Sequence, residues 1–245
     1  MSDSDNKSAQ GEFLHDVFTS VPPRYDLINH LFTMGLDVGW RKLAVRKCLE
    51  DEPKRVLDIC CGTGDLSLNI AETGGRDVEV VGIDFSKTML KVAEKKAKKR
   101  GLGDRVSFHV GDIAFIPFPD KSFDCVGVSF AFRNLTYNNP LAKKHLAEIR
   151  RVLKYSGRFV IVESSQPRPR PGIIKWLHHF YVRHVVYRLG ALVSGNKEAY
   201  KYLSESALNY YTPEELQTLL REAGFRRVTF QRLMLGAAAV HVAFR

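Results

Sequence analysis

The sequence predicts a doubly wound α/β fold carried by one seven-stranded sheet. Two observations predict it. From Arg55 onward, short apolar strand candidates alternate with longer amphipathic stretches, the pattern of successive βαβ units. The first of those strands also runs into a tight turn bearing Gly62 and Gly64, with a helix directly after it. A 44% apolar fraction over 245 residues is enough to build a full core, which excludes general disorder.

Taken in order, residues 1–10 read Ser-Asp-Ser-Asp-Asn-Lys-Ser with no apolar face and are expected to be a disordered terminus. Residues 11–245 are then one domain. Its opening, 11–54, is an N-terminal helical cap: Leu27, Ile28, Leu31 and Phe32 are spaced for short helices, punctuated by Gly35, Gly39 and Pro53. Strands are expected at Arg55–Ile59, Val78–Ile83, Val106–Val110, Asp124–Ser129, Phe159–Val162, Val228–Gln231 and Val240–Phe244. Helices fall between them at Asp65–Glu72, Lys87–Arg100, Leu141–Leu153 and Pro213–Ala223, the last capped by Thr212. The final two strands leave no room for a crossover helix, so they form an antiparallel hairpin at the sheet edge.

Residues 166–211 interrupt the alternation, opening on Pro167-Arg168-Pro169-Arg170-Pro171. Within them Ile174, Leu177, Tyr181 and Val185 share one helical face, with Lys175, His179 and Arg183 opposite. The stretch is a candidate helical lid over a substrate; a helix simply packed on the core is the competing reading.

The formal charge of +10 raises nucleic acid, an anionic membrane or mere solubility as explanations. Lys91, Lys95, Lys98 and Lys99 recur at helical spacing opposite Leu90, Val92 and Ala97, which a solvated helix face explains. No aromatic residue interleaves with them, so the run is no base-stacking platform and nucleic acid is not an expected partner. Cys48, Cys60, Cys61 and Cys125 lack Cys-x-x-Cys spacing and read as small, buried, reduced thiols. With no signal-like start and no apolar run of about 18 residues, a cytoplasmic protein is expected. No metal is expected either, since no His, Cys and carboxylate cluster has ligand spacing.

The glycine loop, Asp58-Ile59-Cys60-Cys61-Gly62-Thr63-Gly64, lets a ligand approach bare backbone. A dinucleotide loop would prefer a third glycine where Ser67 stands. Asp58 and Asp65 flank the turn with negative charge, which disfavours a pyrophosphate and suits a ligand with an ammonium and a sulfonium. That description fits S-adenosylmethionine. About 20 residues on, the second strand ends in Asp84, placed to accept both ribose hydroxyls. The third ends in Gly111-Asp112-Ile113, where a carboxylate receives the adenine amino group. Each carboxylate alone reads equally well as a cap or turn residue; three at successive strands of one parallel sheet make a constellation.

Several motifs go further. Tyr25-Asp26-Leu27-Ile28-Asn29, Val56 to Asp65, Pro117-Phe118-Pro119-Asp120 with Ser122-Phe123-Asp124, Phe132-Arg133-Asn134 and Tyr200-Lys201-Tyr202-Leu203-Ser204-Glu205-Ser206 resemble the ubiquinone/menaquinone-biosynthesis C-methyltransferase family, the UbiE type. The similarity runs from about Val17 to Phe244, and the last two motifs are the discriminating ones. It departs from the family pattern at Cys60-Cys61, at Tyr155-Ser156-Gly157 and at Ser164-Ser165-Gln166-Pro167, where Phe-Ser-Lys-Pro is usual.

The resemblance implies a class I methyltransferase sheet and S-adenosylmethionine contacts at Thr63, Asp84, Asp112, Ile113 and Ser129, with Asp58, Gly62 and Gly64 shaping the loop. The implied acceptor is a prenylated demethylated quinol, methylated at a ring carbon; naphthoquinol and benzoquinol both stay open. Arg133 is the expected catalytic residue, stabilising the forming phenolate and, with Asn134, orienting a water that carries the proton away, with simple pairing of Arg133 to a neighbouring carboxylate the competing reading. Tyr25, Tyr200 and Tyr202 are candidate substrate contacts, with plain aromatic packing the alternative. His241 is expected to be a core histidine rather than a base. A prenyl tail would give the basic helix Lys175 to Arg188 a purpose in peripheral contact with an anionic membrane. Assembly as a homodimer is left open. The alternative function is methylation of another small lipophilic or phenolic acceptor.

Overall fold

The computed structural model describes residues 33–166 and 205–245, together with His30, Gly172, Phe180, Tyr181 and Arg183. The expected disordered terminus, the first part of the helical cap and most of the expected lid lie outside these residues, as do Tyr25, Tyr200 and Tyr202.

The seven strands are β1 (Arg55–Ile59), β2 (Glu79–Asp84), β3 (Val106–Val110), β4 (Phe123–Ser129), β5 (Leu153–Ser164), β6 (Arg226–Leu233) and β7 (Ala238–Phe244). They lie in the order β3-β2-β1-β4-β5-β7-β6. β1 pairs in parallel with β2 on one side and β4 on the other, and β5 continues the parallel run. The expected C-terminal hairpin is present, with β7 antiparallel to both β5 and β6 so that β6 forms the edge.

Helices cover both faces. Here α1 is Leu36–Leu49, α2 Asp65–Thr73, α3 Lys87–Lys99, α4 Phe132–Thr136, α5 Ala142–Val152 and α6 Pro213–Glu222. Ala44 of α1, Leu66 and Ile70 of α2 and Ala97 of α3 pack with Val56, Val80 and Val160. On the opposite face, Leu146 and Ile149 of α5 and Leu216 and Leu220 of α6 pack with Leu57, Ile59, Val126 and Phe159. Neighbours Val56 and Leu57 thus point into different halves of the core, as the two-residue side-chain period of a strand requires. Being covered twice, the central strands read as near-continuous apolar runs instead of alternating ones, with Asp58 in β1 the exception.

Two boundaries differ from expectation for one reason. The helix expected to end at Leu153 stops at Val152, and Leu153 already pairs with Phe123. The register then shifts until Cys125 meets Arg158, so Lys154 to Gly157 bulge out, held by Lys154 Nζ donating to Asp124 Oδ1 at 2.7 Å. β5 is therefore much longer than its apolar segment, and pairing extends it where hydrophobicity does not.

Thr212 caps α6 as expected, and completely. Its hydroxyl accepts from Glu215 N at 3.2 Å while Glu215 Oε2 accepts from Thr212 N at 2.8 Å, with Pro213 filling the first turn. Thr212→Ala should lower unfolding free energy by about 1 kcal/mol with an unchanged denaturant slope, read from urea titration.

Candidate functional site

The loop between β1 and α2 coils because three of its residues adopt positive φ: Cys60 at 50°, Gly62 at 54° and Gly64 at 82°. Gly64 has no freedom to be otherwise. A Cβ there would lie 2.9 Å from Ala93 Cβ and 3.0 Å from the Phe108 ring, in a backbone region that L residues rarely adopt. Beside Gly62, by contrast, a Cβ would enter open space. The loop is tied across the sheet end by Cys61 N donating to Ile83 O at 3.1 Å and Gly62 N donating to Asp84 Oδ2 at 2.8 Å.

Asp58 sits within β1, flanked in register by Gly82 and Gly127. It is fully buried, and its Oδ2 accepts from Ser67 N at 3.0 Å and Ser67 Oγ at 2.5 Å. Oδ1 has no partner. Burial pushes its pKa up to about 7, against the pull of the two Ser67 hydrogen bonds. The Ser67 position, noted in the sequence only as a missing glycine, is the anchor for that carboxylate. Asp84 ends β2; burial raises its pKa too, partly offset by backbone donors at Ser86, Gly62 and Phe85.

The reading of a loop flanked by negative charge needs revision at Asp65. Lys96 of α3 turns inward, its Nζ donating to Asp65 Oδ1 at 2.7 Å and to Thr63 Oγ1 at 3.0 Å. Lys91, Lys95, Lys98 and Lys99 on the same helix are exposed, as a solvated face predicts. From α1, Arg41 also reaches the cleft, which is lined by Arg41, Asp58, the Cys60 to Thr63 turn, Asp65 and Ser129 to Ala131. Ser129 Oγ is buried there without a partner. Asp112 and Ile113 lie past the end of β3. Asp112 is exposed and caps a short 3-10 turn through Ala114 N at 2.8 Å, while Ile113 is buried.

Beyond β4, Phe132-Arg133-Asn134 forms the start of α4, a short helix the periodicity did not reveal. Arg133 is paired to a carboxylate. Its Nη1 lies 3.5 Å from Glu163 Oε1 and donates to Ser164 Oγ at 2.6 Å, and its backbone N–H donates to Glu163 Oε2 at 3.1 Å. Glu163 is 2% exposed and also accepts from Ser164 Oγ at 2.8 Å. Asn134 Oδ1 is buried without a partner. His241 is a core histidine: Nε2 bonds Pro213 O at 3.0 Å, and burial lowers its pKa to about 4. Glu163, Arg41 and Lys96 were all missed, because each is brought to the site by pairing between distant elements. The four cysteines are free thiols, but only Cys48 and Cys125 are buried as expected; Cys60 and Cys61 are half-buried because the glycine loop carries them out to the cleft. Among the described residues no cluster of three His, Cys, Asp or Glu is arranged to hold a metal, and no helix is long and apolar enough to cross a membrane.

The strand order and the loop at the carboxyl end of β1 define the class of S-adenosylmethionine-dependent methyltransferases. Solved structures share the fold. A Thermotoga maritima protein titled a SAM-dependent methyltransferase, possible histamine N-methyltransferase, superposes with TM-score 0.62 at 19% identity, covering 94% of this chain and 98% of that one. A SAM dependent methyltransferase from Aquifex aeolicus gives 0.55 at 21% identity, covering 82% of this chain and 88% of its own.

The sequence pattern of the ubiE/COQ5 methyltransferase family matches residues 4–245, and the chain belongs to that family. It is 42% identical to a demethylmenaquinone methyltransferase of Thermus thermophilus over 94% of this chain and 100% of that protein. For the protein of the same name from Deinococcus radiodurans the identity is 40%, over 97% and 94%. A Geotalea uraniireducens protein named ubiquinone/menaquinone biosynthesis C-methyltransferase UbiE is 36% identical over 95% and 96%.

The state of Asp58 makes a pH-dependent prediction. Its folded pKa of about 7 lies above the unfolded value of 3.8, so the folded chain binds more protons between them and this group's contribution to stability falls as pH rises. Calorimetric Tm should therefore favour Asp58→Asn over wild type by a margin that grows from about pH 5 to about pH 8. A margin that does not change with pH would mean that Asp58 is ionised throughout.

Proposed function

We propose that this enzyme transfers a methyl group from S-adenosylmethionine to a ring carbon of a prenylated, demethylated quinol in respiratory quinone biosynthesis. The observation that carries the reading is identity of 40–42% along nearly the whole chain to relatives named demethylmenaquinone methyltransferase.

The cleft suits the methyl donor. It offers buried oxygens without partners at Asp58 and Ser129 and open space beside Gly62. Thr63, Gly62 and Gly64 would shape the wall against the amino-acid end. Asp84, already accepting from the backbone of Ser86, Gly62 and Phe85, would offer its remaining acceptor capacity to the ribose hydroxyls. Asp112 and Ile113 would receive the adenine. When bound, the donor supplies an electrophilic methyl on a sulfonium.

The protein's part is orientation and charge. Arg133 would face the acceptor oxygen and stabilise it as it loses its proton, and Asn134 has an uncommitted buried oxygen on the same turn. Glu163 and Ser164 fix the guanidinium from behind. Tyr210, pushed well above its usual pKa by burial and by Glu163, stays protonated beside them and bonds Thr136 Oγ1 at 3.0 Å. Residues 166–211 would cover the acceptor, with Tyr25, Tyr200 and Tyr202 against it. The proposal extends to a cytoplasmic enzyme in peripheral contact with an anionic bilayer through residues 175–188, and admits a homodimer.

Labelled S-adenosylmethionine supplied with reduced demethylmenaquinone and, in parallel, a demethylated benzoquinol should give a carbon-methylated product, identified by mass. Transfer to neither, with the donor still bound, would move the reading to another lipophilic or phenolic acceptor. Arg133→Ala should lower kcat by about 10²- to 10³-fold while donor affinity holds; near-normal turnover would remove Arg133 from the reaction.

A further inference from the structure

The cleft around the glycine loop holds both signs of charge, and they are sorted. On the acidic side, Asp58 has one oxygen saturated by Ser67 and the other without a partner. Asp65 is already neutralised by Lys96. What remains is Arg41, 8% exposed, whose guanidinium enters the same cleft from α1.

Its commitments are loose. Nη2 donates to Asp37 Oδ2 at 3.4 Å, Nη1 lies 3.9 Å from Asp65 Oδ2, and the Phe130 ring is 5.9 Å away. A guanidinium has five N–H donors in a fixed fork, and these contacts leave most of the fork unused. Asp37 is in turn held from behind, accepting from Thr33 Oγ1 at 2.8 Å with His30 Nδ1 at the same distance. Burial works against the Asp37 carboxylate, but those hydrogen bonds and the Arg41 charge outweigh it and keep its pKa low. Arg41 is thus a buttressed cation with donors to spare, across a narrow cleft from an uncommitted carboxylate.

That arrangement matches a zwitterion. We infer that Arg41 is a binding residue for the carboxylate at the amino-acid end of the methyl donor, with its ammonium group on the Asp58 side. The inference rests on the reading of this cleft as the S-adenosylmethionine site. It also explains the charge pattern: a purely cationic ligand would gain nothing from a buried guanidinium in its pocket, and would be repelled by it. A planar fork is the side chain suited to a carboxylate.

Calorimetric titration of the full chain tests it, using three ligands. S-Adenosylhomocysteine keeps the whole amino-acid end, its decarboxylated aminopropyl analogue keeps only the ammonium, and 5′-methylthioadenosine keeps neither. Arg41→Met should weaken S-adenosylhomocysteine by about 10- to 100-fold while the other two change by less than about twofold. Arg41→Lys should recover part of that loss for S-adenosylhomocysteine alone. Wild type should itself prefer S-adenosylhomocysteine to the decarboxylated analogue by a similar factor, a measurement that needs no variant to fold. Equal affinity of wild type for those two, or equal weakening of all three ligands by Arg41→Met, would overturn the assignment and leave Arg41 a wall of the cleft. If wild type bound none of the three, the reading of the cleft would fall first and the role of Arg41 with it.

Discussion

A carboxylate buried in the middle of a sheet is the constraint on which the site depends. Asp58 is costly where it stands, since two parallel neighbours and a helix deny it water, and among the described residues only Ser67 hydrogen-bonds it. The hydrogen bonds to Ser67 dock the first turn of α2 against β1. That docking forces the intervening chain into three left-handed residues, and the resulting coil turns Gly62 N toward Asp84. One disfavoured burial therefore positions the helix start, the turn and the second carboxylate together. Such strain in a ligand-binding loop is held by its surroundings and not by its own contacts.

The same loop shows what a linear sequence can and cannot convey. Its glycines were legible because the positive φ of Gly62 and Gly64 leaves a mark on residue type. Thr212 was legible for a similar reason, its cap being local and three residues wide. The seven strands followed from apolar runs, but β5 and β6 outran theirs, β5 through the pairing of Leu153 with Phe123 ahead of its bulge and β6 through its pairing with β7 on both sides of Val228–Gln231. Residues whose role is set by partners far along the chain left no such mark. Glu163 reads as the polar end of a strand, and only folding sets it 3.5 Å from a guanidinium 30 residues away. Lys96 was indistinguishable from the solvated lysines around it, and the turn of the helix alone selects it.

The two halves of the site differ in how they are secured. The donor cleft is built on backbone, from strand ends and a coiled turn, so its shape depends on glycines and a buried anchor. The proposed acceptor side is built from side chains. Arg133, Glu163 and Ser164 hydrogen-bond one another past the ends of β4 and β5, a polar cluster that is rigid only while each member is present.

The paired cysteines of the donor loop acquire a chemical meaning in this setting. The thiols of Cys60 and Cys61, half-buried in the loop, are both pushed well above the usual thiol range, first by desolvation and then because Asp58 and Asp84 repel a second negative charge. A quinol acceptor with an unsubstituted ring carbon becomes, once oxidised, an electrophile that alkylates thiolates at that very carbon. A thiol held in its protonated form is a poor nucleophile. The acidic wall that suits the ammonium of the donor thus also disfavours the thiolate at two sulfurs, and with the proposed quinol as acceptor it would slow their arylation by the oxidised ring.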